Sequence, residues 1–372
     1  MQAPRPRLPR SHILLAVAFR LCYNTPMKNI HDTIAAAAAP YGRGAVSVLR
    51  LSGADAEDIA ARVCPELRNA PGRVMTRVTL ADEKVAFDDG LACVMRAPRS
   101  YTGQTVVEIY CHGSPSVTAH ALGALYKAGA RPAEAGEFTR RALLNGKLDL
   151  LQAEAVADMI NADTPAAARN ALGHLRGAVS RRIAEAWELT ASVAAHAAAC
   201  ADYPEDDIPD ITAGEINSGL SKAADILRGL LNGFERGKYV REGVRVVIAG
   251  PPNAGKSSLF NALLGRDRSI VTEIPGTTRD SIEESVIIGG LRIILHDTAG
   301  LRGTDNIIEA EGVRRSRELM ENAALTLFVV DGTREYDIPD IENVLIVANK
   351  SDLPAFAARD ADAAVSALTG QG

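Results

Sequence analysis

The sequence predicts a multidomain chain of α+β and α/β class: an N-terminal α+β domain, an Ala-rich helical domain and a doubly wound α/β domain. Three observations predict this. Up to about Asn145, short β-like runs alternate with turn residues and two helical patterns. From Gly146 to about Arg236 the text is Ala-rich, with apolar residues three or four apart and almost no β-branched clusters. From Val244 onward, β-rich runs each lead into a glycine or a charged loop. The expected domains are 27–145, 146–240 and 241–372, behind a leader at 1–26.

Composition narrows the class further. The 372 residues are 47% hydrophobic and 23% charged, the balance of a folded globular chain and not of a disordered one. No run of about 18 apolar residues is present, which argues against a membrane span. A formal charge of -5 argues against a general nucleic-acid coat. The 5 cysteines form no C-x-x-C pair and no metal-ligand spacing, so free thiols in a reducing cytoplasm are expected. In the leader, Arg5, Arg7, Arg10 and Arg20 flank the apolar run Ile13 to Phe19, the pattern of a targeting segment. The same text is Pro/Arg-rich and lacks an A-x-A cleavage site, which favours an upstream-extended frame whose true start is Met27.

In the first domain the expected strands are Thr33 to Ala37, Ala45 to Leu51, Leu91 to Arg96 and Val106 to Cys111, with helices Ala54 to Val63 and Ser116 to Ala128. In the second, Leu172, Leu175, Val179, Ile183 and Trp187, then Ile216, Leu220, Ala223, Leu227, Leu230 and Phe234, mark apolar stripes of helices packing on one another. Asp202 to Asp210 between them is acidic and Pro-bearing. It lacks the spaced ligands and closing Glu of a calcium loop, so a solvated connection is expected. In the third, the strands are Val244 to Ala249, Ser281 to Ile288, Leu291 to Leu295, Leu325 to Val330 and Val344 to Ala348. Gly289-Gly290 joins the second and third as a hairpin, and the others need helical crossovers.

The strand Val244 to Ala249 runs into Gly250-Pro-Pro-Asn253-Ala254-Gly255-Lys256-Ser257, which fits G-x-x-x-x-G-K-[ST], and the apolar helix Ser258 to Leu264 follows. Glycines let the backbone curl until several N–H groups converge on phosphate oxygens at a helix N-terminus. Lys256 is then expected to bridge the β- and γ-phosphates and Ser257 to ligate Mg²⁺. Asp297-Thr298-Ala299-Gly300 follows the strand Leu291 to Leu295, where an Asp holds Mg²⁺ through water and the Gly300 N–H senses a γ-phosphate. Asn349-Lys350-Ser351-Asp352 decides the base, because a carboxylate at Asp352 accepts both the N1–H and the N2–H₂ of guanine, and adenine offers neither donor there. Ser366-Ala367-Leu368 matches the loop whose N–H reaches guanine O6. The expected ligand is therefore GTP or GDP.

Between these motifs, Thr272-Glu273-Ile274-Pro275-Gly276-Thr277-Thr278 is expected to be a switch loop, with Thr278 completing the Mg²⁺ shell. Position 301 is Leu, where many GTPases carry a water-orienting glutamine. Charge and water must then be handled otherwise. Asn253 offers a carbonyl oxygen for a monovalent cation beside the phosphates, and Glu309, on the segment Asn306 to Arg317, can hold water indirectly.

With these motifs, three further blocks carry a resemblance: Gly42-Arg43-Gly44 with Ser47 to Gly53; Tyr101-Thr102-Gly103 leading to Val106 to Gly113; and Gly136 to Asp149 continuing through Gln152 to Asp158. The sequence resembles the tRNA uridine-5-carboxymethylaminomethyl modification GTPases, the MnmE (TrmE) family, from Asp32 to Gly372. The resemblance implies an N-terminal domain that binds 5-formyl- or methylene-tetrahydrofolate and forms a homodimer, with Arg50, Glu108 and Lys147 on the folate-contacting positions. It also implies a helical domain interrupted by the GTPase domain. K⁺ would be held by Asn253, Thr272, Ile274 and Thr277, and Glu309 would be the catalytic glutamate, acting with Lys256 and Asn253. The family's reaction implies tRNA and a separate FAD-dependent (MnmG/GidA-like) partner. Gln104 departs from the family, which usually has an acidic residue there. The family also continues past Ser366-Ala367-Leu368 into further helices and a C-x-G-K motif, so the chain reads as C-terminally truncated. Two alternatives stay open: a non-hydrolysing folate-binding and dimerising module, and a ribosome-assembly type of GTPase switch.

Overall fold

The structure is a computed structural model that describes residues 32–40, 42–202, 211–266, 283–297, 319–320, 323–337, 343–358 and 360–372. The leader, residues 203–210 of the acidic connection, Thr272 to Thr278, Thr298 to Leu301 and Asn306 to Arg317 lie outside them. The chain divides into two units between Ala153 and Glu154.

The first unit is built on a six-stranded sheet of β1 (Ile34–Ala37), β2 (Val46–Ser52), β3 (Thr76–Asp82), β4 (Val85–Met95), β5 (Val106–His112) and β6 (Arg131–Pro132). The spatial order is β3-β4-β5-β2-β1-β6, antiparallel except for β1 against β6. Side chains alternate across a strand, so Leu49 and Leu51 of β2 and Val107 and Ile109 of β5 share a buried face. They join a core with Ile59 of α1 (Ala56–Val63) and Leu125 of α2 (Pro115–Lys127). Arg50 and Glu108 therefore belong to the other face. The β3–β4 hairpin is the largest addition to the expected strands. Its turn residues Glu83 and Lys84 hold φ of 48° and 71° without the Asn or Gly that announces such a turn. A third helix, α3 (Glu137–Leu144), follows.

In the second unit, α4 (Leu150–Ile160) crosses the division and α5 (Pro165–Leu175), α6 (Ala178–Asp202), α7 (Ala213–Asn232) and α8 (Phe234–Glu242) follow. Thr164 caps α5 by accepting from the Ala167 N–H at 3.1 Å, and Thr212 with Glu215 closes a capping box on α7. The packing of α6 on α7 corrects the expected stripes. The seam consists of Ala186, Leu189, Ala223 and Ile226, while Ile183, Trp187, Leu220, Leu227 and Phe234 are exposed. Small residues decide this: a Cβ at Gly219 would stand 2.6 Å from Val193 Cγ2, so the helices approach along the side that carries the least bulk.

The last part of that unit is a six-stranded sheet of β7 (Val244–Ala249), β8 (Glu283–Ile288), β9 (Leu291–Asp297), β10 (Leu325–Asp331), β11 (Val344–Asn349) and β12 (Ala363–Ala364), ordered β12-β11-β10-β7-β9-β8. Only β8 is antiparallel, returned by Gly289-Gly290 with φ of 60° and 81°. The other pairs are parallel, as the expected doubly wound class requires. The helix α9 (Lys256–Arg266) packs Leu259 and Phe260 against Ile248, Leu295 and Val329.

Candidate functional site

The first cluster lies beyond the C-terminal ends of β7 and β11. The chain leaves β7 at Gly250, where φ is 138° and a Cβ would stand 2.1 Å from the Val329 carbonyl oxygen, so only glycine fits. Asn253 turns the loop with a left-handed φ of 64°, and Gly255 (φ 94°) opens α9. The buried Lys256 donates from Nζ to the carbonyls of Gly250 and Pro251 at 3.0 and 2.9 Å, which folds its ammonium back across the loop. Ser257 and Ser258 occupy the first turn of that helix.

Asn349, the last residue of β11, links this loop to the base-reading segments. Its Nδ2 donates to the Ala254 carbonyl at 2.9 Å, and its Oδ1 accepts from the Ala367 N–H at 3.0 Å. The side chain is buried, so both ends of the amide are spent on positioning. A Cβ at Gly255 would stand 2.1 Å from that Nδ2. Ser366 is buried and its Oγ accepts from the Thr369 N–H at 3.1 Å, which turns the exposed Leu368 outward. The Ser351 N–H donates to the Val365 carbonyl at 3.0 Å, while Asp352 is exposed with its carboxylate at the surface. Asn349 and Ser351 thus bring Gly250 to Ser257, Asn349 to Asp352 and Ser366 to Leu368 together at one end of the sheet.

Asp331, which the sequence reading did not single out, ends β10 directly opposite Asn349. It accepts from Lys350 Nζ at 2.6 Å and from the Thr333 hydroxyl at 2.7 Å. Burial pushes its pKa upward, but those hydrogen bonds override this and hold it at about 2. The signal available in sequence was an acidic residue at the end of a strand neighbouring Asn349. Asp297 ends β9, opposite Ile248 of β7, but its side chain lies outside the described residues. So do Thr272, Glu273, Ile274, Pro275, Gly276, Thr277, Thr278, Thr298, Ala299, Gly300 and Glu309.

The second cluster is on the open face of the first sheet. Arg50 and Glu108 are register partners on β2 and β5; Arg50 Nε and a terminal nitrogen lie 2.9 and 2.8 Å from Glu108 Oε1. The Tyr110 hydroxyl donates to Glu108 Oε2 at 2.8 Å, and this hydrogen bond raises the tyrosine's pKa. The Arg50 guanidinium lies 5.4 Å from the Tyr101 ring centroid and 5.6 Å from that of Phe138, within cation–π range. Lys147 is held elsewhere, its Nζ donating to the Pro98 carbonyl at 3.3 Å.

The helix α3, which brings Phe138 to Arg50, also carries Glu137 and Arg141 of a charge network that the sequence did not announce. Arg141 donates to Asp32 Oδ1 at 2.7 Å, Glu137 Oε1 at 2.9 Å and Gln104 Oε1 at 3.1 Å, and Arg131 joins Asp32 to Glu137 at 2.7 and 2.8 Å. Gln104 also accepts from Ser52 Oγ at 3.0 Å. A side-chain acceptor is what position 104 must supply, and the amide oxygen supplies it.

The comparisons bear on both clusters. The family model for the GTP-binding protein TrmE N-terminus matches residues 33–147, and that for a 50S ribosome-binding GTPase matches 245–357. The tRNA modification GTPase MnmE of Geobacter metallireducens is 43% identical over 87% of this chain and 74% of its own length. That of Caulobacter vibrioides is 44% identical over 89% and 74%. The chain belongs to the MnmE family. The Aquifex aeolicus MnmE is similar at 42% identity over 87% of this chain and again 74% of its own. The two family models cover Arg50 and Glu108 in the first unit and Gly250 to Asp352 in the second.

Proposed function

We propose that this chain is the GTP-hydrolysing subunit of a complex that installs an aminomethyl-type group at C5 of the wobble uridine in tRNA. The observation that carries the reading is Asn349, whose one amide fastens the phosphate loop to the loop expected at guanine O6. A base and its phosphates are then gripped by one rigid element. Asp352 accepts the guanine N1–H and N2–H₂, Lys256 swings from its carbonyls to the phosphates, and Ser257 with Thr278 holds Mg²⁺. Mg²⁺ neutralises phosphate charge when bound. Asn253 presents an exposed amide at a left-handed turn of the loop, a hard oxygen of the kind K⁺ takes, with Thr272, Ile274 and Thr277 as the other ligands and Glu309 holding water. Purified chain is expected to hydrolyse GTP about tenfold or more faster in KCl than in NaCl. Equal rates in the two salts would remove the K⁺ assignment.

The open sheet face suits a tetrahydrofolate carrier. Glu108 is a fixed acceptor for a pterin amide and amino edge, Arg50 and Lys147 are cations for carboxylates, and the Tyr101 and Phe138 rings offer stacking surfaces. Replacing Glu108→Gln exchanges a charged acceptor for a neutral one and should weaken 5-formyltetrahydrofolate binding by about 10- to 100-fold, read by calorimetry. An unchanged Kd would place the carrier elsewhere. In this reading the N-terminal domain (27–145) forms the homodimer, 146–240 is the helical domain and 241–372 the GTPase domain. The FAD-dependent partner and tRNA complete a cytoplasmic assembly. No helix among the described residues is long and apolar enough to cross a membrane.

A further inference from the structure

The block Gly42-Arg43-Gly44 has no part in either cluster, yet it lines a cavity of about 330 Å³ in the first unit. The cavity is on the helix-covered side of the sheet. Ser47 lines it and is three residues from Arg50, so the two side chains leave β2 on opposite faces. A second wall is the first turn of α2, contributing Pro115 and Thr118.

Among the described residues, the polar side chains that line the cavity all carry donors. Ser47 is 7% and Thr118 6% exposed, and neither hydroxyl has a hydrogen bond to another described residue. Arg43 has no ion pair or hydrogen bond among the described residues, and no carboxylate lines the space. The 13-residue α2 begins at Pro115, and its N-cap, Ser114, makes no side-chain cap, so the first-turn N–H groups of Ser116 and Val117 have no capping side chain among the described residues. Its macrodipole adds positive potential at that end. The backbone around the mouth is fixed, because the Gly44 N–H donates to the Gly113 carbonyl at 2.9 Å and a Cβ at Gly113 would stand 2.5 Å from the Gly44 oxygen.

We propose that this cavity binds a phosphate monoester. Donors on two elements, together with a guanidinium fork, surround a tetrahedral oxyanion better than a planar carboxylate. The two hydroxyls are too deep for a phosphodiester substituted on both sides, whereas the free end of a monoester reaches them. The volume exceeds that of one phosphate and leaves room for the group that carries it. The site is separate from the nucleotide and folate readings and stands without them.

The test is an NMR titration of the full chain, loaded with GDP so that added phosphate does not occupy the Lys256 loop. Inorganic phosphate and ribose 5-phosphate should each shift the Gly113, Ser116 and Thr118 amides saturably, with chloride at equal ionic strength having no such effect. Arg43→Gln and the isosteric Thr118→Val should each weaken binding at least about tenfold, with the remaining amide spectrum unchanged. Ser47→Ala keeps the test open should the threonine variant disturb packing, and it should weaken binding in the same direction. Absence of saturable shifts, or affinities unchanged in all three variants, would overturn the site. Displacement of phosphate by an RNA oligomer lacking a terminal phosphate would overturn the monoester in favour of a backbone phosphate.

Discussion

Replacing Asp352→Asn should reduce GTP affinity by about 10²- to 10⁴-fold while raising affinity for xanthosine triphosphate. In the proposed reading the carboxylate accepts two guanine donors, and each hydrogen bond to a charged group is worth about 1.5–3 kcal/mol. The amide keeps one acceptor and turns an N–H₂ toward the base, where guanine presents another donor and xanthine a carbonyl. Asp352 is exposed and, unlike Asn349, makes no side-chain hydrogen bond among the described residues, so the change should read in binding and not in folding. Fluorescent GDP and XDP competition on one preparation measures both sides of the exchange. A variant that loses guanine and xanthine nucleotides equally would show that Asp352 shapes the loop instead of reading the base.

The loop geometry around Gly250 to Ser257 was legible because its backbone demands are local. Gly250, Gly255 and Lys256 sit in one short segment after β7 and Asn349 ends β11, and at Gly250 and Gly255 the positive φ and close neighbours leave no room for a Cβ. The parallel sheet was legible for a related reason: strands covered on both faces are continuous apolar runs such as Val246 to Ala249. What escaped depends on contacts between distant segments. The β3–β4 hairpin turns on Glu83-Lys84, which carries no turn signature. Of the helical seam only Ala223 stood in the expected stripes; Ala186 and Gly219 carry little hydrophobicity, yet Gly219 sets how closely α7 approaches Val193 of α6. Arg141 reads as one more cation of an amphipathic helix, and its meaning arises only once Asp32, more than a hundred residues earlier, is brought to 2.7 Å. The sequence likewise shows Arg50 and Glu108 as separate charges. Only the β2–β5 register makes them a pair.

The buried network yields the second large effect. Arg141→Met should destabilise the first unit by about 3–5 kcal/mol, the cost of removing one partner from a buried ionic cluster. Arg141 is 2% exposed and donates to Asp32, Glu137, Gln104 and the backbone carbonyls of Asp32 and Ser52, so its loss strands acceptors from four chain segments. Arg131 still faces Glu137 after the change, which keeps the cost at the size of a broken cluster and not of an isolated charge. Acid should produce the same weakening from the other side. Burial pushes the Glu137 carboxyl up, but hydrogen bonds from Arg131, the Glu134 N–H and Arg141 override it and hold its pKa at about 2, against an ordinary 4.5. The group is therefore ionised longer in the folded chain. Its stabilisation, on the order of 3 kcal/mol, is complete above about pH 4.5 and disappears as pH falls toward 2. Two buried thiols report opening of this unit alone: Cys64, whose pKa burial drives up to about 12, and Cys111. At pH 7 the variant should label at these two positions two to three orders of magnitude faster than the parent, measured by peptide mass mapping, since each 1.4 kcal/mol is about tenfold in the opening equilibrium. Denaturant midpoints of parent and variant should converge between about pH 4.5 and pH 2, where the carboxylates lose their charge. Equal labelling rates at pH 7 would mean that the cluster orders the loop around Gln104 without holding the domain together.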